Sequence, residues 1–72
     1  MEDLEVRCPI KLVQFIKLAG WCDSGAEAGA LISAGHVTVD GKVQTGKSHQ
    51  LVGGEVVAAD TLPPQSARVQ AS

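Results

Sequence analysis

The chain has 72 residues and a formal net charge of −2, eight acids against six basic residues. That length suits one small domain, which buries only about 60% of the surface its unfolded chain exposes, and no apolar run nears the roughly 20 residues of a membrane helix. The acidic start (Glu2, Asp3) lacks the basic-then-apolar order of a secretory leader, so a soluble, cytoplasmic protein with no membrane association is expected.

The charge is uneven. Residues 11–50 hold four lysines against three acids, and between Gly41 and Gln50 there is no acid while Lys42, Lys47 and His49 are present. The overall balance argues against a strong polyanion binder, whereas the local balance leaves room for one. Cys8 and Cys22 lie 14 residues apart and, with His36 and His49, show none of the close pair spacings of a zinc site. Without a secretory leader a disulfide is not the default. No cofactor and no metal is expected.

Residues 4–7 alternate apolar with charged and predict a half-buried strand. Pro9 breaks that ladder and suits the entry to a helix. From Ile10 or Lys11 to Ala19 the period changes: Leu12, Phe15, Ile16 and Ala19 share one helical stripe, with Lys11, Gln14 and Lys17 off it. Gly20 ends this helix, because the position after a C-cap commonly needs φ > 0. Lys17, near that end, suits the negative pole of the helix dipole.

Ser24 reads as an N-cap, with Glu27 at capping-box spacing. The second helix is predicted to run to about Ala34, burying Ala28, Leu31 and Ile32, with Gly35 as its stop. Gly25 and Gly29 are unusual inside it, since an interior glycine costs roughly 1 kcal/mol against alanine; Gly29 is either tolerated or allows something to approach the backbone. His36 to Val39 alternates again, and Asp40-Gly41 is a strong signal for a two-residue hairpin. Lys42 to Gln44 begins the return strand, residues 45–50 are polar and read as a loop or irregular strand, Gly53-Gly54 marks a turn, and Glu55 to Ala59 supplies the last strand. Residues 61–72 offer little to bury and are expected to be a flexible tail, giving a domain over 1–60 and a tail over 61–72.

Taken in order, Leu12, Phe15 and Ile16, then Gly20, Ser24, Ala28 and Ile32, then Gly35-His36-Val37-Thr38-Val39-Asp40-Gly41 resemble the S-four RNA-binding domain, whose name comes from a small-subunit ribosomal protein. Gly54-Glu55-Val56-Val57 is similar to its closing G-D/E-x-V element. The resemblance covers residues 4–59, and the short chain looks like the stand-alone, YbcJ-like branch. It implies an α+β fold, two antiparallel helices packed on a small, mostly antiparallel sheet. It also implies RNA lying against the second helix and the adjoining hairpin. Family members often carry Lys or Arg at the positions of Gly25 or Gly29, and a run of basic residues after Thr45; this chain does not.

The resemblance makes Lys11, Lys17, Ser24, Gly25, Gly29, Lys42, Lys47, Ser48, His49 and Gln50 the candidate RNA-binding residues. Lys42 and Lys47 would contact phosphate. The N-terminus of the Ser24-capped helix offers free backbone N–H groups to an anion. His49 and Gln50 would donate to a phosphate or a 2′-hydroxyl. Trp21 would stack on a base or close a core edge. The partner implied is structured RNA, ribosomal or transfer, with ribosome association and no preference for DNA. The lysines of the hairpin region are expected to sit beside the start of the second helix as one cationic ledge. No spacing assembles nucleophile, base and orienting group, so an enzyme is not expected. A protein-interaction module on the same fold is the alternative. A ubiquitin-like sulfur carrier is disfavoured, because it needs a C-terminal Gly-Gly and Gly53-Gly54 has 18 residues beyond it.

Overall fold

In the computed structural model, which describes residues 2–72, two strands precede a pair of consecutive helices and five strands follow them. Strand β1 (Glu2–Val6) and a short β2 (Ile10–Lys11) precede α1 (Leu12–Leu18) and α2 (Gly25–Ser33). Then come β3 (Val37–Val39), β4 (Lys42–Val43), β5 (Gln50–Leu51), β6 (Val56–Ala59) and β7 (Gln65–Ala71). The main sheet has the order β1-β7-β6-β3-β4, with β1 parallel to β7 and the other pairs antiparallel. Strands β2 and β5 form a separate two-stranded ladder. The α+β architecture, helices against a mostly antiparallel sheet, is the one expected.

Local chemistry explains the helix ends. Both helices finish in a Schellman motif. In α1 the N–H groups of Gly20 and Trp21 donate back to the carbonyls of Lys17 and Ile16; in α2 those of Gly35 and His36 donate to Ile32 and Leu31. The pattern needs a left-handed residue after the cap, and Gly20 (φ 80°) and Gly35 (φ 84°) supply it. At the other end of α2 the Ser24 hydroxyl accepts from the Glu27 N–H at 3.2 Å. The hairpin between β3 and β4 is the two-residue loop expected, with Asp40 and Gly41 both at positive φ.

Leu12, Phe15 and Ile16 of α1 and Ala28 and Ile32 of α2 are buried against Val37, Val57, Ala59, Ala67 and Val69 of the sheet. Leu31 is half-buried, at the margin of this core. Trp21 meets Phe15 edge to face, ring centroids 6.3 Å apart, and is half-buried at the core edge. Among the described residues no charged or polar side chain is buried, so the core is held by apolar area alone.

Two expectations are corrected. The first helix starts at Leu12, because Ile10 and Lys11 pair with Leu51 and Gln50 before the chain turns helical. More important, residues 65–71 are no tail. Strand β7 pairs with β6 on one side and β1 on the other, and Ala67 and Val69 are almost completely buried. Pro63 and Pro64 stop the ladder before it, but Ala67, Val69 and Ala71 then alternate with Ser66, Arg68 and Gln70 at the period of a strand. Small side chains kept the segment's average hydrophobicity low while its alternation still made one face apolar. A chain ending at Asp60 should therefore fail to fold, because β1 loses the strand that ties it into the sheet and β6 keeps only β3. Collapse of amide dispersion in its NMR spectrum is the expected outcome, and a native-like spectrum would show β7 to be dispensable.

Candidate functional site

The segment Gln44–Gln50 is shaped by the start of α1. That helix has no side-chain N-cap, so its first amides need other acceptors. The Leu12 N–H donates to the His49 carbonyl at 2.8 Å and the Val13 N–H to the Lys47 carbonyl at 3.2 Å. Within the segment the Gly46 N–H donates to Gln44 Oε1 (3.0 Å), the His49 N–H donates to the Gly46 carbonyl (3.1 Å), and Gln44 Nε2 lies 3.3 Å from His49 Nδ1. The polar tract is thus a tied turn.

This turn runs beside α2 and leaves a groove of about 610 Å³ between them. One wall is Thr45, Gly46, Lys47 and Ser48; the other is Gly25, Ala26, Gly29, Ala30 and Ser33. The α2 wall has only small side chains, at the four-residue spacing that keeps one helix face. A Cβ on Gly29 would stand 3.7 Å from Lys47 Cδ, and one on Gly25 3.8 Å from Lys17 Nζ. Two lysines, one from α1 and one from the turn, therefore converge on the N-terminal half of α2. Among the described residues no carboxylate lines the groove.

Lys42 is elsewhere. It belongs to a second depression, about 440 Å³, lined by Val39, Asp40, Lys42, Val43, Gln44, His49, Gln50 and Glu55. The expected single ledge of Lys42, Lys47 and the start of α2 is corrected accordingly: Lys47 and Lys17 stand at α2, while Lys42 shares its surroundings with two carboxylates. The reason is the hairpin, which carries Lys42 out along β3 while the turn after it brings Lys47 back. Of the remaining candidates, Gly25, Gly29 and Ser48 line the groove, His49 and Gln50 the second depression, and Ser24 is the cap. Lys11 is exposed opposite Gln50 at the head of α1 and lines neither depression. Sequence reasoning passed over Ala26, Ala30 and Ser33, although the recurrence of small residues at 25, 29 and 33 was there to be found.

Two titratable groups are shifted. Burial pushes the Cys22 thiol up, and nearby Glu27 and Asp23 push it the same way, so it stays protonated and is a poor nucleophile. Burial alone would raise the Glu55 carboxyl, but the N–H groups of Val52 and Gly53, at 2.8 and 2.7 Å, more than offset this and hold it below the usual range. Among the described residues no group of three or more His, Cys, Asp or Glu is placed to hold a metal ion, and no helix is long and apolar enough to cross a membrane.

Comparison with known proteins places this geometry. The profile of the S4 domain family matches residues 5–69. The chain belongs to the S4 domain family. It is 43% identical over 49 residues to the protein named "Putative RNA-binding protein YbcJ" of Escherichia coli (strain K12), an alignment covering 68% of this chain and 70% of that one. The same figures hold for the protein named "Uncharacterized protein YbcJ" of Shigella flexneri. The solution structure of YbcJ from E. coli, described as revealing an alfaL motif involved in RNA binding, superposes with a TM-score of 0.68 at 36% identity, covering 97% of this chain and 85% of that one. The S4 match includes most of β7, consistent with that strand being integral to the domain.

Two measurements check this description. Alanine at Gly29 meets Lys47 Cδ at ordinary contact distance, so G29A should raise the unfolding free energy by up to ~1 kcal/mol through helix propensity; destabilisation in a urea titration would mean that the Lys47 stem is seated more tightly against α2. For Glu55 the folded-state pKa lies below that of the unfolded chain. Its contribution is then complete above the unfolded value and lost as pH falls through the folded one. The Tm gap between the native chain and E55A should shrink on acidification through the carboxylate range, whereas a pH-independent gap would exclude this linkage.

Proposed function

We propose that this chain is a small non-catalytic RNA-binding protein that grips structured RNA, ribosomal or transfer, along the groove between α2 and the Thr45–Ser48 turn. Lys17 and Lys47 neutralise phosphates there. The small face of α2 admits the backbone closely, and the amides at the start of that helix add hydrogen-bond donors. The observation that carries the reading is a groove lined by Lys47 and, among the described residues, by no carboxylate, with Lys17 Nζ reaching the Gly25 end of its α2 wall. Membership of the S4 domain family and the naming of its YbcJ relative as an RNA-binding protein support it. A cytoplasmic, ribosome-associated setting follows from the same reading.

Each phosphate neutralised on a duplex adds about 0.9 to the slope of log K against log salt, and on a single strand about 0.7. The double variant K17A/K47A should therefore bind ribosomal or transfer RNA more weakly and flatten that slope by roughly 1.4 to 1.8. Arg68, exposed on β7, is the control: it lines neither depression, and R68Q should leave the slope near its native value. An unchanged slope in the double variant would move the interface elsewhere. Absence of salt-sensitive RNA affinity in the native chain, with a protein co-purifying instead, would favour an adaptor on the same fold.

A further inference from the structure

The second depression has the wrong charge for a phosphate and the right groups for a base. Its border carries one lysine, one histidine and two glutamines, but also Asp40 and Glu55, and two carboxylates repel a phosphodiester. Glu55 is committed to its own turn, both oxygens accepting backbone N–H groups. Asp40 is not: Oδ1 accepts from the Val56 N–H at 3.0 Å, and Oδ2 has no protein donor among the described residues. The hairpin thus sets an acceptor, Asp40, two residues from a cationic donor, Lys42. A ligand that satisfies both presents donors to Asp40 beside an acceptor for Lys42.

We propose that this depression takes an unpaired guanine of the bound RNA, Asp40 accepting from its N1–H and N2–H and Lys42 donating to O6. This rests on the RNA reading above and adds where sequence is read. Guanine is the base that places an acceptor next to two donors on one edge, and lysine and carboxylates are matched partners for such groups. The base must be unpaired, because pairing hides that edge, and single-stranded loops are where proteins read RNA sequence. The imidazole of His49 supplies a flat surface beside it. The tied turn Gln44–Gln50 lines both depressions, so a strand gripped in the α2 groove passes directly by the notch.

The test uses the full chain and a fluorescent RNA hairpin whose loop carries one guanine among uracils, against the same hairpin with inosine, which lacks the N2 amine, or adenine there. Guanine should bind about tenfold more tightly than inosine, the size of one hydrogen bond to a charged acceptor. D40N keeps a residue tolerant of positive φ and an oxygen for the Val56 N–H, so it should fold, as its Tm will show, and should erase the difference between guanine and inosine. K47A should weaken all three hairpins alike. Equal affinity for guanine and inosine, tighter binding of adenine, or a difference that survives in D40N would overturn the notch and leave the RNA interface standing. Salt-independent or absent binding of every hairpin by the native chain would overturn both.

Discussion

The hydrogen bonds from the first amides of α1 to the carbonyls of His49 and Lys47 are the constraint on which the rest turns. A helix of seven residues with no side-chain cap leaves its leading N–H groups to find acceptors elsewhere, and an amide left unpaired away from water costs about 1–3 kcal/mol. The chain meets this need with backbone from more than thirty positions downstream. That choice decides where the polar tract goes. Once its carbonyls face α1, the turn must pass α2, and the stem of Lys47 falls across Gly29. A loop free to relax would present Lys47 in many directions, and the order of side chain and loop would have to be supplied on binding instead.

The small residues of α2 belong to the same arrangement. Gly25, Gly29 and Ser33 give up helix propensity, and together with Ala26 and Ala30 they give up apolar area on that face. The core does not need them, since Ala28 and Ile32 already fill the buried side. What the face gains is closeness: long side chains would separate a ligand from the helix backbone by several ångströms, whereas the helix itself contributes only hydrogens, methyl groups and the Ser33 hydroxymethyl there. This chain places glycine on this helix face, and cations reach it from α1 and from the turn.

How much of this was legible follows from which signals are local. Caps, stops and the Asp40-Gly41 hairpin are set by a few adjacent residues, and each was read correctly. So were the buried positions of both helices apart from Leu31, which is half-buried, because a 3.6-residue period over two turns is a strong pattern. Strand β7 was misjudged because alanine, serine and glutamine look like linker by composition. Only the alternation of Ala67 and Val69 with Ser66 and Arg68 betrays it, and the partner that makes it central, β1, is at the other end of the chain. Lys42 and Lys47 were grouped because they are close in sequence. A hairpin followed by a tied turn separates them, and that geometry depends on α1, which no local reading of residues 42–47 contains.

The charge of the molecule sets what kind of RNA recognition the fold can perform. With a net charge of −2, long-range attraction to a polyanion is absent or mildly unfavourable, and on the proposed reading Lys17 and Lys47 would account for about two phosphates. Non-specific affinity grows with the number of such contacts and is lost steeply with salt. A protein that makes few of them binds random duplex weakly and so has little to lose by discriminating. For it to bind any RNA tightly, the balance must come from shape, from close approach along a bare helix face and from groups that read an edge. Those contributions are short-ranged, demand fixed geometry and are less sensitive to salt. On the proposed reading, a turn tied to one helix and laid against another meets that demand, because it places the Lys47 stem against α2 before any ligand arrives.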